Sequence, residues 1–252
     1  MPLKKDGSLR ICTDYKISIN KYLHISAYPV PVIQHLLHSL EPGTTFAKLD
    51  MSQAYQKLPV DDTAADLQTI VTHRGAFRCK HLQFGVSVAP GLFQSLMERL
   101  LQGLPSVIPY FDDILISASD KPQLIQRVRG VLSRFKKARL KLRKDKCTIA
   151  TPQVEFLGYK VDTSGIHPTE SKVRAIHDAP TPSNKTDLQS FLELLNFYAS
   201  FLRHRASIAE SLHRLLGKQT PWHWGPKEAH VFKAVKSLIT YLIPEKNSYP
   251  VL

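Results

Sequence analysis

The chain has 252 residues, of which 43% are hydrophobic and 22% charged, and it carries a net charge of +13. That length fits one large domain or two small ones with a sizeable core, and the composition excludes a disordered tail, a collagen-like fibre and a coiled coil. No apolar run reaches the roughly 18 residues that span a membrane, and Met1-Pro2-Leu3-Lys4-Lys5 is no signal peptide, so the reading is a soluble, intracellular protein without a membrane partner.

Lys4-Lys5-Asp6-Gly7-Ser8 is turn chemistry, and Leu9 to Asp14 alternates around Ile11 as a short strand does. Pro29 and Pro31 introduce a helical pattern at Ile33, Leu36, Leu37 and Leu40, stopped by Pro42-Gly43. Thr45 to Asp50 reads as a strand ending in a carboxylate. Ile70 to Thr72 and Ala76 to Cys79 flank Arg74-Gly75 as a hairpin. Pro90 sits where a first-turn proline belongs, and Leu92, Phe93, Leu96, Leu100 and Leu101 follow at helical spacing up to Gly103. Val107 to Tyr110 and Ile114 to Ser117 form a hairpin with Phe111-Asp112-Asp113 at its tip.

Leu124, Val128, Val131, Leu132 and Phe135 make one apolar stripe of a helix whose other faces are basic. Leu140 and Leu142 then alternate with Lys141 and Arg143, the period of a strand with a cationic outer face. Phe156 to Val161 is a further strand, closed by Ser164-Gly165. From Pro168 onward the pattern is helical, over 169–178, 184–201, 206–216 and 226–242. A mixed α+β part is therefore followed by a helical part. Cys12, Cys79 and Cys147 form no CxxC pair and read as small buried apolar residues, which argues against a disulfide framework or a zinc finger.

Charge is unevenly placed. Residues 1–120 carry 11 basic and 11 acidic side chains, and residues 121–252 carry 23 and 10. The densest block runs from Arg127 through Arg129, Arg134, Lys136, Lys137, Arg139, Lys141, Arg143 and Lys144 to Lys146, with Asp145 its one acid. Such a field attracts a polyanion, although a solvated helix face gives the same pattern.

Two Asp-Asp pairs offer a control. Asp61-Asp62 stands in a polar turn at a helix start, where acids favour the helix dipole. Asp112-Asp113 is flanked by apolar strand residues, where adjacent unpaired anions cost several kcal/mol each. Asp50 ends a similarly apolar strand. If the two strands are neighbours, the three carboxylates form a set of hard oxygen ligands suited to magnesium with a substrate phosphate.

In order along the chain, Lys4-Lys5-Asp6-Gly7-Ser8-Leu9-Arg10, Tyr28-Pro29-Val30-Pro31, Lys48-Leu49-Asp50-Met51-Ser52-Gln53-Ala54-Tyr55-Gln56, Phe84-Gly85-Val86-Ser87-Val88-Ala89-Pro90, Tyr110-Phe111-Asp112-Asp113, Lys146-Cys147 and Phe156-Leu157-Gly158-Tyr159 resemble the reverse transcriptases of Ty3/gypsy-type LTR retrotransposons. The resemblance implies an α+β right-hand polymerase. Fingers would be residues 1–44 and 56–85, a palm with an antiparallel sheet 45–55 and 86–166, and a helical thumb 167–252. Asp50, Asp112 and Asp113 match the family's metal-binding catalytic aspartates, which implies two Mg2+ or Mn2+ ions.

By the same resemblance Lys4 and Arg10 match fingertip cations for the triphosphate, and Tyr55 the aromatic gate beneath the sugar. Phe84 and Gly85 match the floor of the nucleotide pocket, and Phe156, Leu157, Gly158 and Tyr159 the hairpin that positions the primer end. Arg127, Arg134, Lys137, Arg139, Lys141, Arg143 and Lys144 would follow the nucleic-acid backbone, in a cleft leading away from Asp112. The implied partners are an RNA or DNA template with primer and a dNTP. Bland readings stand beside these: Lys4 and Arg10 flanking a solvated hairpin, Tyr55, Phe84 and Tyr159 as core aromatics, Trp222 and Trp224 as packing residues rather than stacking platforms.

Gln83, Glu193 and Arg203-His204 depart from the family pattern. Family members also begin upstream of the Lys4 hairpin and continue past Leu252, so amino-terminal fingers strands are expected to be missing and neither ribonuclease H nor protease activity is expected. The rival to an active polymerase is a non-catalytic nucleic-acid-binding remnant or co-opted copy.

Overall fold

The computed structural model describes residues 13–23, 28–52, 55–197, 205–217 and 219–240. The expected Leu9 to Asp14 strand, with Lys4 and Arg10, falls almost wholly outside them. The chain divides into two compact units, Met1–Val154 and Glu155–Leu252.

In the first unit a short helix α1 (Ile33–His38) ends before Pro42-Gly43 and leads into β1 (Thr45–Asp50), over the residues the sequence indicates. Gly43 is needed there, because a Cβ would stand 2.7 Å from the carbonyl oxygen of Ala118. Helix α2 (Asp62–Leu67) is capped by Asp61, whose carboxylate accepts from the Ala64 amide at 2.7 Å, so the Asp61-Asp62 pair is a helix start. Strands β2 (Ile70–Thr72) and β3 (Gly75–Phe77) form the expected hairpin, turning at His73-Arg74. Then come α3 (Ala89–Leu101), with Pro90 in its first turn, β4 (Val107–Tyr110), β5 (Asp113–Ala118), α4 (Lys121–Lys137) and β6 (Thr148–Thr151).

The sheet runs β4-β5-β1-β6 and its mapped pairings are antiparallel. Side chains alternate between its faces. Ala47 and Leu49 of β1 and Ile114, Ile116 and Ala118 of β5 share one core with Phe93, Met97 and Leu101 of α3 and Leu124, Val128, Val131 and Phe135 of α4. Both long helices therefore cover the same face. Each wholly buried Leu, Ile or Phe contributes about 1.5–3 kcal/mol, so this layer is the main stabilising interface of the unit.

One expected strand takes a different form. Residues 140–143 make a single bridge, Leu142 to Met51, before a 3₁₀ turn at Lys144–Lys146, and the strand resumes as β6. Arg139 enters this segment with φ 54°, a left-handed conformation that breaks a regular ladder. The alternation of Lys141 and Arg143 with Leu140 and Leu142 marks a crossing of the sheet end.

In the second unit the apparent strand Phe156 to Val161 is a hairpin. Leu157 (φ 53°) and Gly158 (φ 84°) turn the chain between β7 (Gln153–Phe156) and β8 (Tyr159–Asp162), the two positive φ values of a type I′ turn. Strand β9 (Gly165–Pro168) completes a sheet of order β7-β8-β9. Four helices follow as expected: α5 (Glu170–His177), α6 (Lys185–Phe197), α7 (Arg205–Leu215) and α8 (Pro226–Thr240). Val173, Ile176, Leu188, Phe191, Leu192, Leu195, Leu212, Phe232 and Val235 supply their buried positions. Trp224 sits edge-on to Phe232, centroids 5.7 Å apart, and stacks on Trp222, which supports packing for this pair.

Candidate active site

Asp50 and Asp113 are directly opposed where β1 and β5 pair, and the Met51 amide continues the ladder by donating to the Asp112 carbonyl at 2.8 Å. Leu49 and Ile114 point into the helix-covered core, so their neighbours Asp50 and Asp113 belong to the opposite face, as does Lys48. The adjacent Phe111-Asp112 turn adds the third carboxylate.

That turn is strained and braced. Phe111 has φ 48° while Asp112 has no positive φ, a type II′ pattern that favours glycine at the first position. A non-glycine residue held there costs about 1–3 kcal/mol. Gln94 of α3, wholly buried, holds it: its Oε1 accepts from the Phe111 amide at 2.8 Å and its Nε2 donates to the Pro109 carbonyl at 3.0 Å. The rings of Tyr110 and Phe111 meet edge-on at 4.7 Å.

Burial, with the like charge of Asp113 adding to it, raises the Asp50 pKa above its usual 3.8 against the pull of Lys146, Arg143 and Lys48. Arg143 Nε stands 3.9 Å from Asp50 Oδ1, and Lys48 Nζ 3.4 Å from Asp113 Oδ1, a buried oxygen that accepts no hydrogen bond. Tyr55 is pushed up to about 12 by burial and by the neighbouring Asp112. Its ring lies edge-on to Phe84 at 5.3 Å and to Phe93 at 5.6 Å. The Asp50 amide is 3.4 Å from Cys147 Sγ, so Cys147 packs under the site.

The donors suit a hard divalent cation: carboxylates at one sheet end, like-charge repulsion on Asp50 and a buried oxygen of Asp113 without a hydrogen bond. Among the described residues no three His, Cys, Asp or Glu side chains form a ready-made cage. Magnesium is commonly held by one or two carboxylates, with waters and substrate phosphates completing its shell.

The other sequence-indicated residues separate into groups. Tyr55, Phe84 and Asp112 come together, and Gly85, at φ 99°, accepts from the Asn20 amide group through its carbonyl. Phe156 and Tyr159 are both 1% exposed, so their rings are packed in the second unit, with Leu157-Gly158 at the hairpin tip. The Tyr159 hydroxyl donates to the Phe197 carbonyl at 3.1 Å. Lys4 and Arg10 lie outside the described residues.

The basic block does not form one continuous track beside the carboxylates, because α4 covers the opposite face of the sheet. Arg127 of that helix donates to the Ser117 carbonyl at 2.6 Å and pairs with Glu41 at 2.8 Å. Arg134 donates to the Leu100 and Gln102 carbonyls at 2.8 and 2.6 Å, satisfying the carboxyl end of α3. Lys137, Arg139, Lys141 and Lys144 are exposed, and Arg143 is the member placed at Asp50. Lys48 and Lys146 stand in the motifs quoted above without a role at the carboxylates, and Gln94 was not singled out. Gln94 had a signal: a polar residue beside Phe93 on the stripe that also carries Met97.

A family model for "Reverse transcriptase (RNA-dependent DNA polymerase)" matches residues 2–161. The chain belongs to the reverse transcriptase family. It is 30% identical over 238 residues to the Transposon Tf2-3 and Tf2-4 polyproteins of Schizosaccharomyces pombe, covering 94% of this chain but 18% of each relative. These relatives support the likeness to Ty3/gypsy-type retrotransposon reverse transcriptases. The fold is similar to that of a foamy viral protease-reverse transcriptase solved with double-stranded DNA, at TM-score 0.88 and 21% identity, over 96% of this chain and 43% of that one. It is also similar to the structure with an RNA/DNA hybrid, at TM-score 0.80 and 20% identity, over 90% of this chain and 31% of that one. The α+β polymerase fold is thereby established for this chain. Among the described residues no helix is long and apolar enough to cross a membrane.

Proposed function

We propose that the chain extends a primer on an RNA or DNA template: the 3′-hydroxyl attacks the α-phosphate of a dNTP, a new P–O bond forms and pyrophosphate leaves. The observation that carries this reading is the pairing of Asp50 with Asp113 at one sheet end, on the face turned from the helices, with Asp112 in the adjoining turn. Two bound magnesium ions would supply charge neutralisation to the phosphates and acidity to the hydroxyl. Asp50, Asp112 and Asp113 would hold them through hard oxygens, with Lys48, Arg143 and Lys146 favouring the ionised carboxylates.

Tyr55 keeps its proton at neutral pH and, fixed between Phe84 and Phe93, presents a ring that would exclude a 2′-hydroxyl. Fingers at 1–44 and 56–85, palm at 45–55 and 86–166, and thumb from 167 are the proposed parts. Lys4 and Arg10 would hold the triphosphate, and the Leu157-Gly158 hairpin the primer end. Catalysis is then positioning and charge neutralisation.

Primer extension on poly(rA)/oligo(dT) with Mg2+ or Mn2+ tests the reading. Asp112→Asn is expected to lower extension by about 10³-fold or more, about 4 kcal/mol. Equal activity in wild type and variant refutes it, and salt-sensitive nucleic-acid binding with no extension in either favours the non-catalytic alternative.

A further inference from the structure

The brace on the Phe111-Asp112 turn does not end at Gln94. Gly91, Gln94 and Glu98 lie three and four residues apart, on one stripe of α3. Glu98 Oε1 accepts from Gln94 Nε2 at 2.7 Å, and its other oxygen accepts from the Tyr28 hydroxyl. Tyr28 is seated on the same helix: a Cβ on Gly91 would stand 3.2 Å from the Tyr28 Cβ. A continuous hydrogen-bonded line therefore runs Tyr28–Glu98–Gln94–Phe111.

The direction of its donors gives the line a purpose. A glutamine amide can present either its oxygen or its nitrogen, and only the oxygen can accept from a backbone N–H. A carboxylate is an acceptor only. With Glu98 and the Pro109 carbonyl both facing the amide nitrogen, the two N–H groups of Gln94 are consumed and its oxygen is left facing the Phe111 amide. The flipped amide would set nitrogen against N–H and oxygen against two acceptors.

We propose that Glu98, held by Tyr28, is a positioning residue: it fixes the amide orientation of Gln94, which keeps the strained Phe111-Asp112 turn in place. Its effect on nucleotide addition rests on the polymerase reading above; its effect on the turn does not.

Hydrogen exchange at the Phe111 amide, followed by NMR in the full chain, tests it. Exchange should rise by about 100-fold in Gln94→Leu, about tenfold in Glu98→Leu and a few fold in Tyr28→Phe, with the Leu115 and Ile116 amides unchanged. Glu98→Gln keeps the volume and can offer either end of its own amide, so it should give an intermediate rise and remains readable if Glu98→Leu folds poorly. Phe111 exchange that rises in Gln94→Leu but stays at the wild-type rate in both Glu98 variants overturns the proposal. In single-nucleotide addition Glu98→Leu should lower kcat about tenfold with KM for the dNTP unchanged, and Glu98→Gln should recover part of the loss. A wild-type chain that adds no nucleotide counts against the polymerase reading, and the exchange rates still decide the role of Glu98.

Discussion

Two stretches of the same basic block meet the central sheet in opposite ways. Helix α4 carries Arg127, Arg129, Arg134, Lys136 and Lys137, yet its stripe of Leu124, Val128, Val131 and Phe135 is committed to the face that also packs α3. Two of its arginines are engaged by carbonyls and by Glu41. Residues 139–146 instead cross the end of β1, where Arg143 and Lys146 act on Asp50. Equal charge density thus has two meanings. On α4 it keeps a packed helix soluble and ties neighbouring segments together; at the sheet end it offsets carboxylates that burial would otherwise neutralise.

The largest expected stability effect lies on the helix side. Phe93→Ala removes a ring shared by α3, the sheet and Tyr55, and should cost about 3–5 kcal/mol in urea unfolding. A cost no greater than that of a surface change would mean that the helix layer does not carry the fold.

Nucleic-acid affinity sharpens the contrast next. Lys141→Gln with Lys144→Gln should reduce the log–log salt slope of primer–template binding by up to about 1.8, whereas Arg129→Gln with Lys136→Gln should change it by less than about 0.5. Equal slopes for the two pairs would erase the distinction between the stretches.

The smallest effect is the sign of the pH response. Asp50 has a raised pKa, so its contribution to stability is present below 3.8 and is lost as pH rises through the raised value; Asp50→Asn should remove that loss. Glu41, lowered from 4.5 by hydrogen bonds from Ser106 and then Arg127, contributes above 4.5 and loses that contribution as pH falls through its lowered value. Urea midpoints of Asp50→Asn and Glu41→Gln across pH 3–7 should therefore depart from wild type in opposite directions, the first upward on the neutral side and the second downward. Shifts of the same sign would contradict the assignment of their surroundings.

Much of this was legible in the residues. β1 stands over Thr45–Asp50, Pro90 opens α3, and the tip of the β4–β5 hairpin bears Asp112, because strand alternation, proline placement and apolar spacing are local signals. The less legible features depend on partners distant in sequence. Leu140 to Arg143 alternates like a strand but meets β1 at one bridge only. Leu157-Gly158 looks apolar enough to continue a strand, and only the positive φ at both residues reveals the turn. Which side of the sheet α4 covers cannot be read from its own stripe, so the direction of its cations could not be either. Gln94 shows in the sequence only as a polar residue on an apolar stripe, and its partner, the Phe111 amide, lies 17 residues away.

Single-nucleotide incorporation on one primer–template, with wild type, Asp50→Asn and the double variant Arg129→Gln/Lys136→Gln compared side by side, tests the central claim that the chemistry belongs to the carboxylate face. Asp50→Asn is expected to lose about 10³-fold without loss of folding stability, and the α4 pair less than about twofold. Comparable losses in both variants, or undiminished incorporation by Asp50→Asn, would contradict it.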